Sequence, residues 1–348
     1  MLSSGSVPPF PPPPPTLKNL LSGISPFSDT FRKHIRQYNA AFAFTSIGVN
    51  IDHSVTSSSG PYAFKINGEL HHLAGSLLPV KGEQPSYAQL YVHDPAEALN
   101  IRQNRNQNLL PQIMTELQAM MQDTHPYVPL YKQAFQIMRA KPPEQQKNVV
   151  VNLHMDKNAD SRRYNLPTVD EIAAIIPGDG SEDRSDHRDI VLRLTGGGLK
   201  HISHLHPSYS TLHYTMLFPR GEEGFHTEIP MNTPQHARSA NVSQRCYYAF
   251  RLQRRPGEPP ALLMGGKLLQ QYVVDAWAST EQSELNWICH HQKELRSDVY
   301  QDIRNAANVD QNADAAQWAS VSSCLHSPRE PTPHVSALSG FNGHLLSL

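Results

Sequence analysis

Cysteine is scarce in this chain, and its spacing excludes two common kinds of small-domain scaffold. The 348 residues contain three cysteines, Cys246, Cys289 and Cys324, which lie far apart and form no C-x-x-C pair. A disulfide framework needs an even set of cysteines, and a cysteine zinc finger needs paired thiolates. The sequence therefore predicts an intracellular protein of a reducing compartment.

Long apolar runs and a net charge are also missing. No stretch reaches the roughly 18 apolar residues of a membrane-spanning helix. The opening MLSSGSVPPFPPPPPT lacks the basic and apolar regions of a secretory signal. Because the formal net charge is −1, no global basic field holds nucleic acid, and any contact with DNA must come from a local patch.

A phosphate-binding loop is absent as well. Gly265, Gly266 and Lys267 are followed by Leu268, where a Walker A loop has Ser or Thr, and position 261 is Ala261. We therefore expect no nucleotide at this segment and no cofactor in the chain.

Proline, by contrast, is abundant and marks the ends of predicted domains. Many of the 29 prolines lie in flanks and loops. The tract at residues 8–15 is typical of extended polyproline II without packing. The predicted organisation is a disordered Pro-rich segment (1–30), an α+β subdomain (31–138), a linker (139–165), a second α+β subdomain with a long helix (166–315) and a divergent, disordered tail (316–348).

Apolar periodicity predicts an α+β fold in which helices outweigh short β-hairpins. Phe31, Ile35, Tyr38 and Phe42 share one face of a helix. The other predicted elements are a hairpin turning at Asn67-Gly68, a strand over 86–94, one helix over 97–123, a short helix over 131–138, a β-like stretch over 148–153, a helix over 168–176 behind the capping box Thr168–Glu171, strands over 189–195 and 199–205 paired around Gly196–Gly198, and a helix over 243–253 with Ser243 as N-cap.

The longest predicted element lies towards the C-terminus. Residues 267–327 contain neither glycine nor proline. An apolar stripe predicts one long helix, or two nearly collinear ones, to about residue 307. About 40 residues at ~1.5 Å each would reach ~60 Å, which is too long for the core of a small domain. We therefore expect part of the stripe to stay exposed and to favour weak self-association. The stripe comprises Val273, Trp277, Leu285, Ile288, Leu295 and Val299.

The 19 histidines suggest a metal-site hypothesis, which other residues weaken. His204 and His206 would share one face of a strand, as the metal-binding histidines of HUH nucleases do, and Tyr127 and Tyr131 offer paired tyrosines that would attack a DNA phosphate. Pro129 argues against one regular helix carrying both tyrosines, and a proline directly after His206 ends the strand. We therefore interpret the cluster as surface or packed histidines and predict no metal site. Its members are His201, His204, His206 and His213.

Basic and aromatic residues alternate on the predicted helix over 243–253. One hypothesis is a surface that follows phosphates while aromatic rings stack on bases. The other is an amphipathic helix with its aromatic residues in the core and its arginines in water. The sequence leaves both open. The candidate DNA-binding residues are Arg245, Arg251, Arg254, Arg255, Tyr247 and Tyr248.

Several blocks, taken in order and spacing, resemble one family. The first are FRKHIRQYNAAFAFTSIGVNID, YAFKINGELHHLAGSLLP and YAQLYVHDPAEALNIR. RRYNLPTVDEIAAIIPGD, RDIVLRLTGGGLKHISHLHPSYSTLHYTMLFPRGEEGFH and YYAFRLQRR follow, and the strongest block is GGKLLQQYVVDAWASTEQSELNWICHHQKELRSDVYQDI. From Phe31 to Ile303 the chain resembles the N-terminal region of Helitron Rep–helicase proteins, the transposases of rolling-circle transposons.

The resemblance implies a role in rolling-circle transposition. Members of the family carry an N-terminal region, often with zinc-binding cysteines, then a Rep nuclease with an HUH pair and catalytic tyrosines, then a superfamily-1 helicase. The HUH pair lies beyond the YQDI block, so the nuclease role does not carry over to His204 and His206. We expect a non-catalytic N-terminal fragment without nuclease and helicase motifs. The alternative is a retained DNA-binding or domain-docking module, and an HUH nuclease is the third hypothesis.

The resemblance also implies a location and partners. A nuclear protein is expected, with single-stranded DNA or the Rep and helicase domains as partners and no membrane. The tail departs from the family at SSCLHSPREPTPHV. We hypothesise that a frameshift or misassigned splice site begins before Ser322.

Overall fold

Helices dominate the structure, as the sequence predicts. The structure is a computed structural model that describes residues 7–51, 66–140, 142, 149–153, 173–177, 190–193, 200–231, 240–255 and 261–291. The α-helices are α1 Pro15–Ser22, α2 Ser28–Phe42, α3 Pro95–Arg105, α4 Pro111–Thr124, α5 Tyr127–Arg139, α6 Tyr209–His213, α7 Gln244–Arg251 and α8 Lys267–His290, with 3-10 helices at Tyr87–Tyr91 and Leu263–Gly265. The strands are β1 Ser46–Ile51, β2 Ile66–Ala74, β3 Val149–Leu153, β4 Ala173–Pro177, β5 Ile190–Arg193 and β6 Lys200–Ile202.

Two compact units divide the chain at residues 279 and 280. The first unit, residues 1–279, includes the first predicted subdomain and the second one as far as residue 279, although the sequence separates them at 139–165. Strand pairing explains this difference, because β2 of the first predicted subdomain pairs with β6 of the second. The predicted linker also contains β3, the central strand of a sheet. The predicted tail, 316–348, lies outside the described residues.

The segment predicted to be disordered, 1–30, contains a packed helix. α1 begins at Pro15, where a missing N–H costs no helical hydrogen bond, and it ends at Gly23 in a left-handed conformation. Its apolar residues Leu17, Leu20 and Leu21 are buried. The prediction was wrong because it weighed the prolines and missed this short apolar periodicity. The proline tract before the helix also packs, since Val7 is buried and the Phe10 ring contacts Phe218.

The helix α2 confirms the clearest periodicity in the sequence. Phe31, Ile35, Tyr38 and Phe42 are all buried on its inner face. Burial of each such side chain contributes roughly 1.5–3 kcal/mol to the hydrophobic stabilisation. This face is part of the hydrophobic core of the first unit.

The first sheet has the order β1-β2-β6, and all of its pairs are antiparallel. The predicted hairpin turn at Asn67-Gly68 was wrong, because β2 runs through both residues and Asn67 pairs with Asn50. The predicted pairing of 189–195 with 199–205 was also wrong. β5 belongs to the second sheet and β6 to the first, so long-range pairing outweighs the local turn signal of the three glycines.

The second sheet has the order β4-β3-β5 and is also antiparallel. β3 confirms the β-like stretch predicted at 148–153. The end of the helix predicted over 168–176 is instead the strand β4, whose Ile175 and Ile176 pair with Val151 and Val150. β-Branched residues favour strands, so pairing with β3 outweighs the predicted helical periodicity here, and the capping box Thr168–Glu171 lies outside the described residues.

Two further local predictions fail for identifiable reasons. The single helix predicted over 97–123 is two helices, because Pro111 cannot continue a helix and instead begins α4. The predicted strand over 86–94 contains a 3-10 helix, Tyr87–Tyr91. The Ser86 side chain accepts a backbone hydrogen bond there, and the Gln89 side chain accepts one from the Ser86 N–H. This capping box closes the turn.

The helix α8 confirms the long helix as far as His290, and residues 292–307 lie outside the described ones. Within the first unit, α8 buries Leu268, Tyr272 and Asp275 and leaves Trp277 exposed. Leu285 and Ile288 of the second unit are exposed too. In the part of the chain that the structure describes, no helix combines the length and apolar character needed to cross a membrane.

Candidate functional site

The basic and aromatic helix predicted at 243–253 is present as α7. The Ser243 hydroxyl accepts a hydrogen bond from the Cys246 N–H at 3.3 Å, so Ser243 is the N-cap that the sequence predicts. The helix runs from Gln244 to Arg251. The six candidate DNA-binding residues lie on this helix or just after it, and they divide into a buried group and a surface group.

Both candidate tyrosines belong to the buried group. The Tyr247 hydroxyl donates to the Glu223 carbonyl at 2.9 Å, and the hydroxyls of Tyr248 and Ser279 lie 3.4 Å apart. Burial raises the pKa of both phenols. Neither ring is available to stack on a base, so the amphipathic interpretation holds for this face of α7.

Arg251 is the one candidate arginine that is buried. Its Nη1 donates to the Pro8 carbonyl at 2.7 Å, and its guanidinium lies 3.8 Å from the centre of the Phe10 ring and 5.1 Å from that of Tyr247. A contact of this kind with an aromatic face is favourable for a cation removed from water. Arg251 therefore binds the N-terminal proline tract and does not face solvent.

The remaining candidate arginines lie at the surface. Arg245 and Arg254 are exposed, and Arg255 is half-buried. The Arg255 guanidinium lies 3.8 Å above the Phe250 ring and donates to the Phe250 carbonyl. We call Arg245, Arg254 and Arg255 the arginine edge. The arginine edge places three positive charges of the predicted DNA-binding patch at the surface. The two tyrosines predicted to belong to that patch are buried and do not contribute to it.

The four histidines of the predicted cluster do not share one strand: His201 is in β6, His204 and His206 follow it, and His213 ends α6. His204 and His206 follow β6, which ends at Ile202, so they lie in a turn and not on a strand. His206 is buried, and its Nδ1 accepts the Ser208 N–H at 3.0 Å. The His201 ring stacks on His71 at 3.8 Å. Across the described ranges, no three His, Cys, Asp or Glu residues are placed to hold a metal ion.

The paired tyrosines lie on one helix, contrary to the prediction. Pro129 is in the first turn of α5, where its missing N–H breaks no helical hydrogen bond, so Tyr127 and Tyr131 are both helical. Tyr131 is fully buried, and the Tyr127 and Ser208 hydroxyls are hydrogen-bonded. Burial raises the pKa of Tyr127 to about 12 and also raises that of Tyr131. Burial thus disfavours the ionised, nucleophilic form of both tyrosines.

The structure reveals a buried polar network that the sequence did not suggest. Both oxygens of Asp275 are used: Oδ1 accepts the Tyr209 hydroxyl and Oδ2 accepts the Tyr214 hydroxyl, each at 2.8 Å. His72 Nε2 lies 2.8 Å from Oδ2, and its Nδ1 lies 2.9 Å from the Tyr209 carbonyl. The His72 and Tyr209 rings stack at 3.8 Å, and the His213 ring is 4.6 Å from His72.

The electrostatics of this network fix the charge on Asp275. Burial raises its pKa, but the charge of His72 and the hydrogen bonds from His72, Tyr214 and Tyr209 outweigh burial, so the pKa is lowered. Asp275 is 2% exposed and His72 is 0% exposed, so no substrate reaches them in this conformation. The network joins β2, α6 and α8. The missed signal was an aspartate on the apolar face of α8, three residues after Tyr272.

Comparison with known proteins finds a family match over the part of the chain that includes α8. Residues 247–333 match the family described as the Helitron helicase-like domain at the N-terminus. The match begins within α7, includes all of α8 with Asp275, and continues past the described residues. No curated protein matches the chain. The family match overlaps the strongest block of the sequence resemblance, GGKLLQQ to YQDI. Over these residues the chain is similar to the Helitron helicase-like domain.

Proposed function

We propose that the chain is a non-catalytic N-terminal module of a Helitron-type protein and contacts nucleic acid through the arginine edge. The observation that carries the proposal is the exposure of Arg245, in the first turn of α7, and of Arg254, three residues after its end. Arg254 lies within the family match and Arg245 lies just before it. Exposed guanidinium groups bind phosphates without base specificity. The proposed site of action is the nucleus, where single-stranded transposon DNA would be available.

The edge is expected to bind weakly and with strong salt dependence. The whole chain has a formal net charge of −1, so only the local field attracts a phosphate backbone. Each phosphate neutralised on a single strand changes the slope of log K against log salt by about −0.7. Two or three arginines therefore predict a slope of about −1.4 to −2.1.

The test is fluorescence anisotropy of a labelled mixed-sequence single-stranded oligonucleotide over a salt series. Arg245→Gln/Arg254→Gln should reduce the slope by about 1.4 and weaken binding at low salt. Lys33→Gln/Arg36→Gln is the matched control, because it removes two exposed positive charges from α2. Equal loss in both double variants, or no loss in the first, would remove the arginine edge from the proposal.

The non-catalytic part of the proposal is supported by the burial of the groups capable of chemistry. Tyr131, His72 and Asp275 are buried, and the last two are held by the polar network. A nucleophilic tyrosine must reach a phosphate and lose its proton, which burial of Tyr131 opposes. The chain, incubated with single-stranded DNA and Mn²⁺, should form no covalent adduct on a denaturing gel. An adduct that disappears with Tyr127→Phe or Tyr131→Phe would establish an HUH-like activity instead.

Domain docking is the second candidate function. Val274 and Trp277 on α8 are 56% and 55% exposed, an unusual surface for large apolar side chains. The partner would be the Rep or helicase domain of a Helitron protein. Trp277→Ser should then weaken binding of such a domain added in trans and leave oligonucleotide binding unchanged. The reverse pattern would favour the arginine edge alone.

A further inference from the structure

The N-terminal proline tract packs against other residues of the first unit in the way that a peptide ligand packs against its receptor. We call residues 7–14 the proline strap and the side chains of Phe218, Arg220 and Arg251 the cradle. Pro14 has φ −54° and ψ 149°, which is polyproline II geometry. The strap ends where α1 begins, so the chain leaves the cradle directly into a packed helix.

The cradle donates hydrogen bonds to backbone carbonyl groups of the strap. Arg251 Nη1 donates to the Pro8 carbonyl at 2.7 Å, and Arg220 Nε donates to the Pro12 carbonyl at 3.1 Å. A polyproline II helix makes no internal hydrogen bonds, so its carbonyls are free to accept from a receptor. At ~3.1 Å per residue, these two carbonyls lie about 12 Å apart along such a helix, so the two arginines hold the strap at separate points.

One aromatic residue gives the contact its register. The Phe10 ring meets the Phe218 ring edge-to-face at 5.4 Å and receives the Arg251 guanidinium at 3.8 Å on its face. Arg251 is only 6% exposed, so its charge lies in an environment where such a contact is strong. Pro8 and Pro12 are themselves exposed. The cradle thus recognises one aromatic ring flanked by extended proline carbonyls.

We propose that the cradle is a binding site for proline-rich peptides with a central phenylalanine, and that the chain's own strap fills it. Aromatic surfaces with hydrogen-bond donors are the general means by which proteins bind preformed polyproline II segments. The tethered strap has an effective concentration on the order of millimolar, so a peptide added in trans binds only after the strap is weakened or outcompeted. This site is separate from the arginine edge, since Arg251 faces the strap.

The experiment uses the full chain and a fluorescein-labelled peptide with the sequence VPPFPPPPPT. Phe10→Ala removes the ring from the strap but leaves the cradle intact, so the variant should bind the peptide about tenfold or more tightly than the wild type. Phe10→Ala/Arg251→Gln should lose that gain. A peptide with alanine in place of phenylalanine should not bind. Anisotropy measures the binding of both peptides to the wild type and to each variant.

Controls separate this site from general loosening of the fold. Phe27→Ala truncates another partly buried phenylalanine, outside the strap and cradle, and should not increase peptide binding. Pro8→Gly/Pro9→Gly weakens the polyproline II bias without removing an aromatic ring and should also increase it, which keeps the test decisive if Phe10→Ala unfolds. The proposal is overturned if neither strap variant binds the peptide better than the wild type, or if Arg251→Gln leaves the gain unchanged.

Discussion

His72 Nε2 and Asp275 Oδ2 lie 2.8 Å apart although 203 positions separate the two residues in the sequence. His72 Nδ1 also lies 2.9 Å from the Tyr209 carbonyl oxygen, so both ring nitrogens face oxygen atoms. Two tyrosine hydroxyls complete the buried network around the Asp275 carboxylate.

Loss of one partner of this pair should destabilise the chain severely. Asp275→Asn removes the buried carboxylate that pairs with His72 and accepts hydrogen bonds from Tyr209 and Tyr214, and we expect the free energy of unfolding to fall by about 3–5 kcal/mol. Urea unfolding followed by circular dichroism measures the change. The exposed carboxylate of Asp123 provides the matched control, since Asp123→Asn should stay within about 0.5 kcal/mol of the wild type. A small effect of Asp275→Asn would show that the network is not required for folding.

The chain should lose stability as the pH falls from about 6.5 towards 3. Burial lowers the pKa of His125 and of His213 to about 3, whereas an unfolded histidine titrates near ~6.5. Between these values the unfolded chain binds two protons at these histidines that the folded chain does not, a loss of stability of about 2.7 kcal/mol per pH unit below pH ~6.5. Burial raises the pKa of Glu222 to about 7, so above pH ~4.5 the folded chain alone binds a proton there, which offsets about 1.4 kcal/mol per unit and leaves a net slope of about 1.4. Urea midpoints from pH 7.5 to 5 test this sign and slope.

Replacing His125 tests how much of this dependence of stability on pH comes from one imidazole ring. The His125 ring lies 4.9 Å from the Phe44 ring and 5.8 Å from the Tyr127 ring, so His125→Phe keeps an aromatic side chain in place. The pH slope should then decrease by about 1.4 kcal/mol per unit, the value of one proton. An unchanged slope would mean that His125 already binds its proton in the folded chain.

Arg102 should not tolerate replacement by lysine. Its guanidinium donates to the Ala41 carbonyl at 3.0 Å and to Gln118 at 2.8 Å, and lies between the Phe42 and Tyr91 rings at 4.9 and 4.7 Å. Lysine brings a buried charge without the planar fork, so we expect Arg102→Lys to cost about 2–3 kcal/mol. Arg102→Met, which buries no charge, should cost no more than Arg102→Lys.

The control for Arg102 lies on the same helix. Arg105 is exposed and donates to the Gln84 carbonyl at 3.2 Å. Arg105→Lys should change the unfolding free energy by less than about 0.5 kcal/mol. Similar losses at positions 102 and 105 would contradict the importance of the planar guanidinium.

Trp277 should promote self-association through its exposed indole. Sedimentation velocity over a range of concentrations should show weak oligomers of the wild type and a shift towards monomer for Trp277→Ser, because an exposed apolar patch favours association. Trp277 is 55% exposed, so the substitution should hardly change thermal stability. A wild-type chain that stays monomeric at every concentration would contradict this prediction.

Local patterns in the sequence sufficed where neighbouring residues decide the structure. The spacing of Phe31, Ile35 and Tyr38 predicts α2, and Ser243 predicts the start of α7, because helical periodicity and N-capping act within a few residues. Pro129 shows the limit of such rules, since its effect depends on whether it lies in the first turn of a helix or further along.

Long-range contacts could not be predicted in the same way. The pairing of β2 with β6 and of β3 with β5 depends on which distant strands meet, and a turn signal such as Asn67-Gly68 does not contain that information. The sequence also could not show which candidate DNA-binding residues are buried and which lie at the surface. Tyr247 and Arg251 have the residue types of a nucleic-acid surface, but only contacts with Glu223 and Pro8 reveal that they face inwards.

The His72–Asp275 pair has a consequence for how this family region folds. Residues 247–333 carry the match, yet within it Asp275 needs His72, Tyr209 and Tyr214, and Tyr247 packs against Phe225. An expressed segment confined to the matched residues would leave a charged carboxylate and several aromatic rings without the partners that cover them. The unit recognised by similarity and the unit that folds are different stretches of this chain, and an exchange of the matched region between relatives would have to preserve side chains that lie as far as 175 positions before its start.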